Sequence, residues 1–283
     1  MTHPALTSDS VAVITGGAAG IGLAIAKQFA QLGLRIVIAD LGADKIARAV
    51  ATIAAEAPKG TAAVLGVETD VSKLPDVQRL EVRVKAAFGG TDVLVNNAGI
   101  QPGSTILDGT DNWQRILGVN LWGVIHGVQT FVPAMIARGR PGLVINTGSK
   151  QGITTPPGDP AYNTSKAGVK VVTEALQHQL RNTAGCRISA HLLIPGFVFT
   201  ELAAQGRTEK PAGAWTPDEL AAFMMTRLAA GDFYILCPDN DVPRSLDERR
   251  ILWAAGDIVE NRPPLSRWHP DYGAAFAEFA KKG

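Results

Sequence analysis

The stretch Val11-Ala-Val-Ile-Thr-Gly-Gly-Ala-Ala-Gly-Ile-Gly22 decides the reading of this chain. Val11 to Ile14 is a short apolar run, the pattern of a strand buried on both faces of a parallel sheet. It halts at Thr15-Gly16 and passes through small residues to Gly20 and Gly22. A helical pattern then opens, with Ile21, Ile25, Phe29 and Leu32 at three- or four-residue spacing and Gly33 as its stop. Strand, glycine turn and helix in that order place a helix N-terminus where a pyrophosphate can bind. A second strand, Arg35 to Asp40, ends on an acid 18 residues past Gly22. There a carboxylate can take the hydroxyls of an adenosine ribose; otherwise Asp40 caps the helix that begins near Gly42.

Strands and helices alternate outward from this unit. Helices are expected over Asp44–Glu56, Leu74–Phe88, Asn112–Arg138 and Pro160–Thr183, with Pro133 placed to kink the third. Strands are expected over Ala62–Asp70, Val93–Val95, Leu143–Asn146 and Arg187–Ile194. Six strands separated by helices imply an α/β fold, a Rossmann-type doubly wound parallel sheet with helices on both faces. Beyond Pro195-Gly196 the rhythm changes. Residues 199–230 read as helix and loop, Phe233 to Cys237 as a seventh strand, and Ser245 to Val259 as a charged amphipathic helix. A proline-rich turn from Arg262 to Asp271 and a last short helix complete an extended C-terminal tail. No linker divides the 283 residues, so a single domain is expected, with a core at 8–200 and an extension at 201–283.

Composition removes several function classes. The net charge of +1 contains no long single-sign run, which argues against a nucleic-acid or anionic-membrane partner. No stretch is expected to reach the roughly 18 uncharged apolar residues of a membrane span. The N-terminus has no signal-peptide design and Cys186 and Cys237 form no CxxC, so a cytoplasmic protein with reduced thiols is expected. His3, His126, His178, His191 and His269 are scattered without metal-ligand spacing.

The chemistry-bearing residues sit mid-chain. Tyr162 and Lys166 are one helical turn apart and point the same way. A nearby cation favours the phenolate, lowering a tyrosine pKa of about 10 and poising the phenol for proton transfer. Ser149 falls at the end of the fifth strand, where open α/β sheets present their ligand crevice. Asn120 lies mid-helix, a poor place for asparagine, which suggests water-holding or backbone-bracing.

Together these residues resemble the short-chain dehydrogenase/reductase family in its common short form. The matching motifs are Thr15-Gly16-x3-Gly20-x-Gly22, Asp70-Val71, Asn96-Asn97-Ala98-Gly99, Asn120, Ser149, Tyr162-x3-Lys166 and Pro195-Gly196-x3-Thr200, covering roughly residues 8–200. The resemblance implies a catalytic set of Asn120, Ser149, Tyr162 and Lys166. Tyr162 would be the general acid/base, Ser149 would orient the substrate oxygen, Lys166 would bind the nicotinamide ribose and lower the tyrosine pKa, and Asn120 would hold a relay water. Gly16, Gly20, Ile21 and Gly22 would cradle the pyrophosphate. Asp70 and Val71 would edge the adenine, and Asn97, Ala98 and Gly99 would line the adenosine side. Pro195, Gly196, Val198 and Thr200 would meet the nicotinamide end.

Asp40 would repel a 2′-phosphate, and Gly17, Ala18, Ala19 and Leu41 carry no positive charge, so NAD is the expected cofactor. Gln151, Gly152, Ile153, Thr154, Phe197, Phe199, Trp215, Phe223, Met224 and Met225 suggest an apolar pocket with no Arg or Lys to clamp a carboxylate. The expected activity is interconversion of a hydrophobic secondary alcohol and its ketone. The rivals are an NADP-dependent ketoreductase and a non-catalytic dinucleotide sensor. The resemblance also implies a homodimer or homotetramer, although the altered tail departs from the family's usual ending.

Overall fold

The computed structural model describes residues 2–281 except Asp108 and Gln205, so Gln205 and the last two residues of the expected tail lie outside the described residues. The first half runs β1 (Val11–Thr15), α1 (Gly20–Gln31), β2 (Arg35–Asp40), α2 (Ala43–Glu56), β3 (Val64–Glu68), α3 (Leu74–Phe88), β4 (Val93–Asn96), α4 (Thr110–Leu117) and α5 (Gly123–Ala137). The second half runs β5 (Gly142–Thr147), α6 (Gln151–Thr154), α7 (Pro160–Arg181), β6 (Ile188–Ile194), α8 (Glu201–Ala204), α9 (Pro217–Ala229), β7 (Tyr234–Leu236), α10 (Arg244–Val259) and α11 (Gly273–Lys281).

The seven strands pair in parallel in the order β3-β2-β1-β4-β5-β6-β7. The expected doubly wound sheet is therefore present. Its two-residue period sorts the strand side chains: Ala12, Ile14, Ile36 and Ile38 enter one core, and Val11, Val13, Val37 and Ala39 enter the other. The first core lies under α1, α2 and α9, and the second under α3, α5 and the end of α7. Strand order reverses where β1 lies between β2 and β4. That switch point leaves a crevice beyond the C-terminal strand ends.

Two expected elements differ. Strand β3 begins at Val64 because Gly60–Ala63 closes a 3-10 turn. The expected Asn112–Arg138 helix starts earlier, at Thr110, and its ladder widens into a π-turn over Gly118–Trp122 around Asn120. Pro133 does sit inside α5. The run from Thr110 to Ala137 is long and apolar enough, by length and composition, to cross a bilayer, contrary to the sequence expectation. It packs against α3, α7 and β4, and a core helix meets the same measure.

A polar ladder crosses the sheet. Asn96 Nδ2 donates to Asn146 Oδ1 at 2.9 Å, Asn146 Nδ2 donates to Thr173 Oγ1 at 3.0 Å, and all three side chains are buried. Gly127 of α5 lies directly over it, so close that a Cβ there would stand 2.1 Å from Asn96 Oδ1. Alanine gains roughly 1 kcal/mol over glycine in a helix interior. Overpacking costs roughly 1–3 kcal/mol, and here it also displaces a buried hydrogen-bonded amide. Gly127→Ala is expected to lower stability by roughly 1–2 kcal/mol in urea unfolding; equal or higher stability would show that α5 can move off the sheet.

Candidate active site

The glycine turn folds as the sequence requires. Gly16 has φ +64°, a conformation glycine adopts without a Cβ penalty. A Cβ on Gly22 would sit 2.2 Å from the Gly16 carbonyl oxygen, so α1 approaches the turn as only glycine allows. Asn97 locks this approach: its Nδ2 donates to the carbonyls of Thr15 and Gly16 at 3.1 and 3.3 Å, and its backbone N–H donates to Thr15 Oγ1 at 2.9 Å. No side chain caps the N-terminus of α1 and its first turn holds no acid. The bare N–H groups and the helix dipole suit a phosphate.

A cleft of about 790 Å³ runs along the strand ends from Asp40 to Tyr162. Every residue expected to bind a cofactor lines it except Gly22, which lies beneath as the close-packing glycine. Ser149, Tyr162 and Lys166 line its other end. Asn120 stands behind the wall, fully buried. Its Oδ1 accepts from Ile100 N–H at 2.8 Å, and its Nδ2 donates to the Ile100 carbonyl at 2.9 Å and to Ser165 Oγ at 3.2 Å. Both amide protons thus brace the Gly99–Ile100 loop against α7.

Asp40 does not cap α2, whose N-cap is Gly42. Its Oδ2 accepts from Ala18 N–H at 2.9 Å and its Oδ1 accepts from Leu41 N–H at 2.8 Å. The carboxylate is held at the cleft rim and tied to the glycine turn. Sequence reasoning missed Lys45, whose Nζ lies 3.5 Å from Asp40 Oδ1 and which also lines the cleft. Its signal was available: Lys45 follows Asp40 by just over one turn, at the start of α2.

At the catalytic end burial dominates. The Tyr162 phenol is pushed up to about 12 by burial, against the hydrogen bond from Ser149 and with help from the Asp159 carboxylate. The expected lowering by Lys166 is therefore not what this pocket does to the phenol. Lys166 lies with its Nζ 5.7 Å from the Tyr162 ring centre and donates to the Thr147 carbonyl at 2.8 Å. Its own pKa is pulled down to about 8, because burial disfavours the ammonium.

The apolar substrate residues divide. Phe197 and Gln151 line the cleft. Met224 is fully buried, and Trp215, Phe223 and Met225 pack on the first core between α9 and α1; none of these four lines the cleft. Ile153 and Thr154 line a separate cavity toward the tail. Methionines and aromatics at helical spacing were core here, the commoner outcome.

A family model for short chain dehydrogenases matches residues 10–211. The chain belongs to the short-chain dehydrogenase/reductase family. A D-beta-hydroxybutyrate dehydrogenase of Rhizobium meliloti (strain 1021) is 35% identical over 192 residues, 68% of this chain and 72% of that protein. A Burkholderia phymatum member of the family, solved in complex with NAD, superposes with TM-score 0.81 at 32% identity, covering 93% of this chain and 98% of its own. The L-sorbose reductase of Gluconobacter frateurii, solved with NADPH and L-sorbose, superposes with TM-score 0.72 at 26% identity, covering 86% of this chain and all 100% of its own. As a member of this family the chain is an oxidoreductase acting on hydroxyl groups, and its cleft is that of a nicotinamide dinucleotide.

The Lys166 shift has a measurable sign. Its folded pKa of about 8 lies below the ordinary lysine value of 10.5, so between these two values the unfolded chain binds more protons and stability rises with pH. The contribution of this one group is roughly 3 kcal/mol across that window. In chemical unfolding without added cofactor, the stability of wild type relative to Lys166→Met should climb from pH 8 to pH 10.5. A difference that stays flat would mean the ammonium is solvated in the folded protein.

Proposed function

We propose that this chain is an NAD-dependent dehydrogenase that interconverts a hydrophobic secondary alcohol and its ketone. The observation that carries the reaction is the convergence of Ser149, Tyr162 and Lys166 at one end of the dinucleotide cleft. The nicotinamide supplies the hydride acceptor or donor; the chain handles position and protons. Ser149 holds the substrate oxygen against the Tyr162 phenol. At neutral pH the phenol is protonated, poised to donate to a ketone oxygen as negative charge develops there. In the oxidative direction the Tyr162 phenol first gives up its proton to solvent, and the phenolate so formed, beside the Lys166 ammonium, then takes the hydroxyl proton of the alcohol.

The NAD assignment rests on Asp40. Its carboxylate accepts hydrogen bonds from ribose hydroxyls and repels a 2′-phosphate. Lys45 does not reverse this, since it is ion-paired to the same carboxylate and adds no free charge while Asp40 is present. The apolar character of the substrate rests on Phe197, Val198, Leu202 and Ile100 in the cleft wall.

Tyr162→Phe should cut turnover at least a hundredfold, the scale of general acid/base catalysis, with NADH affinity by fluorescence titration nearly unchanged. Full activity in that variant would remove Tyr162 from the mechanism. Asp40→Ala with Leu41→Arg leaves Lys45 and the new guanidinium facing the ribose. It should move kcat/KM at least tenfold toward NADP, a change of about 1.4 kcal/mol or more; an unaltered ratio would sink the account of cofactor choice.

A further inference from the structure

The tail builds a cavity of its own. It measures about 330 Å³ and lies between α6, the end of β7, α10 and the 3-10 turn at Ser266–Trp268. Lys150 and Gln151 line both this cavity and the cleft, so the two adjoin immediately past Ser149. The sequence reading found no cation near the substrate. The fold brings three here, Lys150, Arg250 and Arg267.

Their charges are unequally answered. Lys150 Nζ takes both nearby carboxylates, Asp239 Oδ2 at 3.1 Å and Asp247 Oδ2 at 2.6 Å. Arg250 reaches Asp247 only at 3.8 Å, and its buried Nε has no hydrogen-bond partner. Arg267 stacks its guanidinium on Trp268 and Phe276, 4.7 and 5.0 Å from the ring centres. No carboxylate among the described residues pairs with it within 4.0 Å. Burial, then repulsion from Arg250, draws the Arg267 pKa down to about 10. The described lining offers these two half-buried guanidiniums one carboxylate, Asp247, and that already pairs with Lys150, which leaves both able to take the carboxylate of a ligand.

The turn that presents Arg267 is rigidly held. Leu265 has φ +56°, a left-handed conformation uncommon for leucine. Ser266 is fully buried and donates to Asp257 twice, from its N–H at 3.1 Å and its hydroxyl at 2.5 Å, while Trp253 Nε1 donates to its Oγ at 2.8 Å. Strain of this kind persists where the surroundings over-determine it and often marks a site.

We propose that this cavity is a binding site for an apolar carboxylate. The forks of Arg250 and Arg267 take the two carboxylate oxygens, a planar match that an ammonium does not offer. Ile153, Leu236, Ile251 and Trp268 line the cavity and receive the hydrocarbon. The carboxylate belongs either to the far end of the substrate or to a free acid binding beside it.

Calorimetric titration of the full chain with hexanoate and with hexanamide tests this without requiring turnover, so it stands apart from the reading of the catalytic site. Hexanoate should bind at least tenfold tighter than hexanamide, and that preference should fall at least tenfold in Arg267→Gln and Arg250→Gln. Arg267→Lys keeps the charge but loses the fork, and should retain only part of the preference. Circular dichroism and NADH affinity check that the variants fold; where one does not, wild type and Arg267→Lys decide. Equal binding of acid and amide, no binding of hexanoate, or hexanoate binding untouched by the variants would overturn the proposal. Repeating the titration with NADH and a saturating secondary alcohol identifies the source. Displacement assigns the carboxylate to the substrate, and undiminished binding assigns it to a separate acid; either result upholds the site.

Discussion

The close approach of α1 to the turn after β1 is the constraint on which the cleft depends. Gly22 brings the helix against the Gly16 carbonyl, leaving no room for a methyl group. Only that proximity points the first N–H groups of α1 at the same volume as the strand ends. Asn97, arriving from β4, fastens both carbonyls of the turn with one amide. The phosphate cradle and the β1–β4 switch point are therefore one construction. Asp40 extends it from the other side by accepting from Ala18 N–H. A carboxylate that holds the turn at the cleft rim is fixed in direction before any ligand arrives.

The catalytic end is built on burial rather than on hydrogen-bonded exposure. Lys166 is 4% exposed and Tyr162 is 7% exposed. In such surroundings desolvation outweighs the attraction between phenolate and ammonium, so both groups lean toward their neutral forms. Proton transfer between neighbours then needs little reorganisation, since neither charge is firmly held by water. The π-turn serves the same end. By widening the helix at Gly118–Trp122 it faces the Asn120 amide to Ile100 and Ser165, joining the loop after β4 to the helix that carries Tyr162 and Lys166.

Much of this was legible in the chain. The continuous apolar run of β1, the glycine spacing and the one-turn separation of Tyr162 and Lys166 are local properties, and local properties survive folding. What the sequence hid was non-local or environmental. The direction of the tyrosine shift depends on how deeply the phenol is buried, which no spacing encodes. The fate of Phe223, Met224 and Met225 depends on which face of α9 meets α1. Lys45 lay within reach of sequence reasoning, one turn beyond the acid it pairs with. Arg250 and Arg267 did not, being about a hundred residues from the α6 segment they face.

The same non-local contacts make the tail part of the site rather than an appendage to it. Lys150 follows Ser149 directly, and its half-buried ammonium pairs with Asp239 and Asp247, both from beyond β7. Asp239 Oδ2 also accepts from Phe197 N–H at 3.2 Å, on the segment after Pro195-Gly196. A side chain on Gly196 would lie 2.6 Å from that oxygen, a close contact though less tight than the one at Gly22. One carboxylate from the tail thus joins the loop that carries Ser149 to the loop across the cleft from it. Asp247 is itself buried, and leaving a buried charge unpaired costs roughly 3–5 kcal/mol. The placement of the Ser149–Lys150 loop opposite Phe197 therefore depends on a carboxylate some ninety positions downstream.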